Sequence, residues 1–224
     1  MGILNLTPDS FYEPSRYNMS ILDSGADIID IGAVSTRPGY TEVPLEEEWQ
    51  RLEPLLSTIG TGRCLSIDTT RSEIVRRAYK LVGPFIVNDI SAGLDDPRML
   101  PLVRELGLRY VAMSRDKDPF RFFAEHTFEG IDWILDPGFG FNKDPEDNMY
   151  ILHNMEDLKE YGRPILAGVA DKRFTKTLPG GTEQAHLLAL RHGADILRVH
   201  DVKKARQTAE LYENLFCKQA ADRV

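Results

Sequence analysis

Eight short apolar runs, each ending in or near a polar or charged residue, constrain this chain more than any other feature. The runs are Ile3-Leu4 before Asn5, Ile28-Ile29 before Asp30, Leu65-Ser66-Ile67 before Asp68, and Phe85-Ile86-Val87 before Asn88. They continue with Tyr110-Val111-Ala112-Met113 before Ser114 and Ile134-Leu135 before Asp136. Ile165-Leu166-Ala167 then leads to Asp171 and Lys172, and Ile196-Leu197-Arg198-Val199 to His200. Near-continuous apolar runs separated by helix-length segments mark parallel strands covered on both faces. Eight of them predict an α/β fold, the (β/α)8 TIM barrel, with its active site at the C-terminal ends of the strands. Asp and Asn also end strands because they favour turns. That accounts for one or two of these ends, not for eight.

Helices are marked between several runs. Pro44 to Leu52 carries Glu46, Glu47 and Glu48 in its first turn, where acids favour the helix dipole, with apolar positions at helical spacing. Thr70 is placed to cap a helix from Ser72 to Leu81, and Glu183 to His192 runs into Gly193 as a C-terminal stop. Lys203 to Cys217 puts Ala205, Ala209, Tyr212 and Phe216 on one face, the core-facing stripe of a closing helix. Two connections are short for a barrel: Thr7 to Gly25, and Asp116 to Gly130, which has room for one modest helix.

The 224 residues read as a single domain over 1–224, slightly short of the roughly 250 typical of such a barrel. A formal net charge of −8 argues against nucleic-acid and anionic-membrane partners, while leaving room for a few local cations around an anionic small molecule. Cys64 and Cys217 form no metal or redox spacing, and no long apolar span or leader is present, so a soluble cytoplasmic protein is expected.

The strand ends carry the chemistry. Asp68, Asn88 and Asp136, with Lys172, would meet at a barrel mouth. Together they supply the acceptors and donors that an aminopyrimidinone-like ring needs. The same oxygens also suit Mg2+, and spacing alone leaves both readings open. Arg198 and His200 alternate along the last run and so share one side of it, and Arg37 follows Ser35-Thr36 in a loop closed by Pro38-Gly39. Arginine pairs phosphate oxygens bidentately, and the loops after strands seven and eight of such barrels often bind phosphate. The plainer alternative is a surface ion pair of Arg198 with Asp195 or Asp201. It leaves an inward Arg and His without a purpose.

Six motifs occur in a telling order. They are Gly2-Ile3-Leu4-Asn5-Leu6-Thr7-Pro8-Asp9-Ser10-Phe11, Asp30-Ile31-Gly32 with Ser35-Thr36-Arg37-Pro38-Gly39, and Ser66-Ile67-Asp68-Thr69. Asn88-Asp89-Ile90-Ser91, Asp136-Pro137-Gly138-Phe139-Gly140-Phe141 and Arg198-Val199-His200-Asp201-Val202 complete the set. Nearly end to end, the chain resembles the dihydropteroate synthase family. That resemblance implies a TIM barrel, usually a homodimer, and a sulfonamide target. It implies a transferase that joins 6-hydroxymethyl-7,8-dihydropterin diphosphate to 4-aminobenzoate with Mg2+ as cofactor. By the same resemblance Asp68, Asn88, Asp136, Lys172 and Met113 grip the pterin. Asn5, Thr36, Arg37, Arg198 and His200 hold the diphosphate, with Asn5 also beside Mg2+. Pro38, Phe141 and Arg173 border the aminobenzoate, and Lys172, Asp68, Arg198 and His200 carry the catalytic work.

Two loops depart from the family. Its usual Ser-Arg-Lys-Ser after strand seven is Ala170-Asp171-Lys172-Arg173 here, and its Met-His-Met after strand five is Met113-Ser114-Arg115. The pterin and diphosphate assignments survive these changes better than the aminobenzoate assignment. A methyltetrahydrofolate-dependent methyltransferase on the related barrel, or a non-catalytic pterin-binding paralogue, fits part of the same pattern.

Overall fold

Runs such as Leu65–Asp68 and Trp133–Asp136 bury every residue, as strands of a barrel do when helices cover the outer face and side chains of the other strands the inner one. The computed structural model describes residues 1–6, 19–34, 43–60, 62–176 and 180–217. Its strands are β1 (Gly2–Asn5), β2 (Ile29–Gly32), β3 (Leu65–Asp68), β4 (Ile86–Asp89), β5 (Arg109–Met113), β6 (Trp133–Asp136), β7 (Leu166–Ala167) and β8 (Ile196–Leu197). Between and after them come α1 (Leu45–Leu56), α2 (Ser72–Val82), α3 (Met99–Leu106), α4 (Pro119–Glu125), α5 (Pro145–Asn154), α6 (Arg173–Lys176), α7 (Gly181–Arg191) and α8 (Val202–Tyr212). This is the α/β order of a (β/α)8 TIM barrel. Among the described residues no helix is long and apolar enough to cross a membrane.

The chain divides into two compact units. The first holds Met1–Met113 and Thr127–Ile134. Its strands β1 to β5 pair in parallel, each with the next, and Leu4, Ile31, Ile67, Val87 and Val111 are fully buried. The helices α1, α2 and α3 contribute Leu52, Ile74, Val75, Met99 and Val103 to its core. The second unit holds Ser114–His126 and Leu135–Val224. There β7 pairs in parallel with β8, Leu135 bridges Ile165, and α7 packs against α8 around Ala185, Ala189, Val202 and Ala205.

Local signals set several helix ends. Asp118 accepts from the Arg121 N–H at 3.0 Å with Pro119 at the first position of α4. Asp144 and Asp147 cap each other's backbone N–H groups around Pro145 at the start of α5. Gly107 ends α3 in the left-handed region at φ 62°.

Four expectations need correction. The second strand runs on past Asp30 to Gly32, because Asp30 finds buried partners and need not mark an end. The last strand stops at Leu197, so Arg198 and His200 follow it; the Arg198 N–H still donates to Ala167 O at 3.1 Å, and exposure still alternates through His200. Thr70 does not cap α2. Arg71 occupies that position, and the acceptor comes from Asp96, whose Oδ2 takes both the Ser72 N–H (2.9 Å) and the Ser72 hydroxyl (2.6 Å). Finally, α8 gives way to a π turn at Glu213–Cys217, whose wider spacing carries Phe216 off the buried stripe and leaves it exposed. The buried face of α8 is Val202, Ala205 and Thr208.

Burial alone would raise the Asp96 carboxyl, but the Ser72 and Arg98 hydrogen bonds outweigh it and bring it down to about 2. Its folded value lies below its ordinary one, so this stabilisation is full above pH 4 and is lost as pH falls towards 2. Asp96→Ala is expected to cost about 1–2 kcal/mol in urea unfolding at pH 7. The deficit relative to the parent should shrink near pH 2; an equal deficit at both pH values would count against the cap.

Candidate active site

Parallel register builds the first part of the site. Asn5 pairs with Gly32, Gly32 with Asp68, and Asp68 with Asn88, so these residues form one row at the C-terminal ends of four strands. Side chains two apart share a face, which puts Asp30 and Gly32, Ser66 and Asp68, and Asn88 together. On that face Asp30 is fully buried. It accepts from the Ser66 hydroxyl at 2.6 Å and from Asn88 Nδ2 at 3.1 Å. Asp30 therefore fixes how Asn88 presents its amide. Gly32 leaves the space that Asp68 uses, since a Cβ there would stand 3.4 Å from the Asp68 Cβ. Asp68, Asn88 and Met113 are buried, and Asn5 is half-buried.

Beside Asp68 opens a cavity of about 610 Å³, lined in part by Val34, Glu48, Thr69, Arg71 and Asp96. Glu48 is buried rather than a solvent-facing first-turn acid. It accepts from the Thr69 hydroxyl (2.7 Å) and the Arg71 guanidinium (2.8 Å). Burial raises its carboxyl, against the opposing pull of Thr69 and Arg71. On the other face of β4, Asp89 takes the Tyr110 hydroxyl at 2.7 Å and the Ser91 N–H and hydroxyl.

The second unit carries the remaining candidates. Asp136 ends β6, is buried, and accepts from the Gly138 N–H at 2.8 Å. Burial raises its carboxyl, while the Gly138 N–H and then the charges of Arg198, Lys172 and Lys143 pull it down. The loop that follows is shaped by glycine. At Gly138 (φ +70°) a Cβ would stand 2.0 Å from Ser114 O, and at Gly140 (φ +81°) 2.9 Å from the Lys172 side chain. The Lys172 ammonium lies 5.2 Å from the centre of the Phe141 ring. Lys143 is buried, and its Nζ donates to Ser114 O (3.1 Å) and Phe141 O (3.2 Å). Burial pushes that ammonium down to about 8.

Arg173 opens α6 and is exposed; among the described residues no ion pair joins it to Asp171. Arg198 and His200 are half-buried. The two carboxylates beside them have backbone work of their own: Asp195 accepts from Ile165 N–H at 2.9 Å and Asp201 caps α8 through Lys204 N–H at 3.0 Å. Thr36, Arg37 and Pro38, with Thr7 to Phe11, lie outside the described residues. Asp30, Glu48 and Lys143 were not predicted as site residues. Their only sequence signal is a charge inside or beside a motif already singled out.

Comparison with known proteins identifies the family. The profile of the family described as pterin binding enzyme matches residues 1–130 and 123–200. The dihydropteroate synthase of Streptococcus pyogenes is 33% identical over 253 aligned positions, covering 96% of this chain and 94% of that protein. Because 253 positions exceed the 224 residues, gaps fall in this chain, in keeping with its short connections. The structure of Xanthomonas albilineans dihydropteroate synthase with 4-aminobenzoic acid superposes with a TM-score of 0.85 at 34% identity, over 97% of this chain and 92% of that one. The same organism's enzyme in complex with 7,8-dihydropteroate gives 0.82 at 32% identity, over 97% and 93%. With its strand order, its buried strand-end acids and these matches taken together, the chain belongs to the pterin-binding enzymes and, among them, to the dihydropteroate synthase family.

Proposed function

We propose that this chain joins 6-hydroxymethyl-7,8-dihydropterin diphosphate to 4-aminobenzoate, releasing diphosphate, as a transferase of folate biosynthesis. The observation that carries the reading furthest is Asp136. It is a buried strand-end carboxylate with three cations in its field, and only the Gly138 N–H reaches it among the described residues. Such a group is suited to accept from a ring N–H and an exocyclic amine together. In this reading Asp68, Asn88, Met113, Asp136 and Lys172 bind the pterin, Asn88 with its amide set by Asp30. Asn5, Thr36, Arg37, Arg198 and His200 bind the diphosphate, and Pro38, Phe141 and Arg173 the aminobenzoate.

The chemistry follows from these groups. As the C–O bond of the substrate breaks, the diphosphate takes the electron pair and the electron-rich pterin spreads the positive charge left on its exocyclic methylene. Arg198 and His200 stabilise the charge on the leaving group. The uncharged arylamine nitrogen forms the new C–N bond and passes a proton to solvent. Mg2+ fits this reading: Asn5, at the end of β1, could offer it one amide oxygen, and a hard cation would find further oxygen ligands in phosphate and water. When bound, it would neutralise diphosphate charge. A cytoplasmic homodimer belongs to the same reading, supported by the exposed Leu188, Leu211, Leu215 and Phe216 on and beyond α7 and α8.

Calorimetry tests the whole reading, with the pterin diphosphate first and 4-aminobenzoate added second. Both should bind in that order, and dihydropteroate should form with Mg2+ present. Pterin binding with no second step and no product would favour the non-catalytic paralogue; a preference for reduced folate would favour the methyltransferase.

Four substitutions assign the roles. Asp136→Asn keeps an acceptor for Gly138 but turns an amide N–H toward the ligand, so pterin affinity should fall by about 2–4 kcal/mol with the circular dichroism unchanged. Normal binding by that variant would show the pocket to be misassigned. Arg198→Ala and His200→Ala should weaken the diphosphate ester far more than bare hydroxymethylpterin; equal losses would make them supports of the fold. Arg173→Ala should raise the KM for 4-aminobenzoate and leave pterin affinity unchanged, because its exposed guanidinium is not held by Asp171. An unmoved KM would remove Arg173 from the site.

A further inference from the structure

We propose that Lys143 is a positioning residue that pins the Gly138–Phe141 loop to Ser114 and thereby sets where Phe141 stands for 4-aminobenzoate. This rests on the synthase reading above. Only 3% of Lys143 is exposed, and its ammonium joins two carbonyls from separate segments, Ser114 O at 3.1 Å and Phe141 O at 3.2 Å. Ser114 directly follows β5, and its own N–H donates to Asp136 O at 2.9 Å. Lys143 therefore ties the far end of the loop to the segment that already anchors its start. The loop runs hard against that tie: a Cβ at Gly138 would stand 2.0 Å from Ser114 O and 3.4 Å from Lys143 Nζ. Asn148 adds a second pin by accepting from the Gly140 N–H at 2.7 Å.

A buried lysine rarely keeps its charge without help. Burial pulls this ammonium down, Asp136, Asp116 and Asp147 act to keep it charged, and Lys172 opposes them. The balance near pH 8 makes the pin sensitive to pH. The proton matters because hydrogen bonds from a cation to a carbonyl are stronger than those from a neutral amine.

The test uses the full chain with Lys143→Met and Lys143→Arg. With pterin diphosphate saturating, Lys143→Met should raise the KM for 4-aminobenzoate about tenfold, well beyond the change in the calorimetric Kd for pterin diphosphate, where Asp136 loses one of three cations and keeps the Gly138 N–H. Lys143→Arg, which keeps the cation, should recover most of the KM. In the parent the KM should climb as pH rises through about 8, and in Lys143→Met it should stay flat. Proportionate losses in kcat and both affinities, or the same pH profile in parent and variant, would overturn the proposal. Should Lys143→Met fail to fold, a flat parent profile would do so alone. Turnover by the parent reports on the synthase reading separately, since it does not depend on either variant.

Discussion

Parallel register is the constraint on which the rest of this structure depends. Side chains alternate along a strand, so a slip of one residue would send Asp30, Asp68 and Asn88 to the opposite face together. Pairing Asn5 with Gly32, Asp68 and Asn88 in one row keeps the polar groups level and leaves Leu4, Ile31, Ile67 and Val87 in the apolar layers. The same register lets a buried carboxylate exist at all. Asp30 has its hydrogen-bond partners two strands away as well as next door, so its burial is satisfied by geometry that only the correct pairing supplies.

In the second unit the corresponding constraint is a loop. Three backbone features fold the chain after β6 tightly: the Gly138 N–H on Asp136, the bare Cα of Gly138 beside Ser114 O, and the left-handed Asn142. Tight folding brings the Gly138 N–H onto the buried acid and Lys143 and Lys172 into its field, and the N–H first, then the positive charges, oppose the rise that burial imposes on it. Loop shape and carboxylate charge are thus one problem with one solution.

Much of this was legible in the sequence because strands covered on both faces leave apolar runs, and Pro with Asp leaves helix starts such as those of α4 and α5. Asp68, Asn88 and Asp136 were legible because each stands at or next to the end of such a run. Asp30 looks like a strand end in the sequence, because nothing in a linear string distinguishes a turn-forming Asp from one buried against Ser66 and Asn88. Glu48 was read as a helix-dipole acid, although Thr69 and Arg71, more than twenty residues away, make it an interior group. Phe216 was placed on the wrong side because a π turn is invisible to 3.6-residue counting. In each case the missing information was a distant partner or a local change of helical pitch.

The cap on α2 has a consequence for how the chain can be built. The acceptor for the Ser72 N–H belongs to Asp96, twenty-four residues later and beyond the next strand. On a ribosome, α2 is therefore synthesised before the group that completes its first turn, and it waits for β4 and the loop behind it. Each βα unit is not a self-sufficient brick; this one is latched by its successor. A break in the chain between the two, as in a fragment ending after α2, would leave that helix without the side-chain acceptor at its N-terminus.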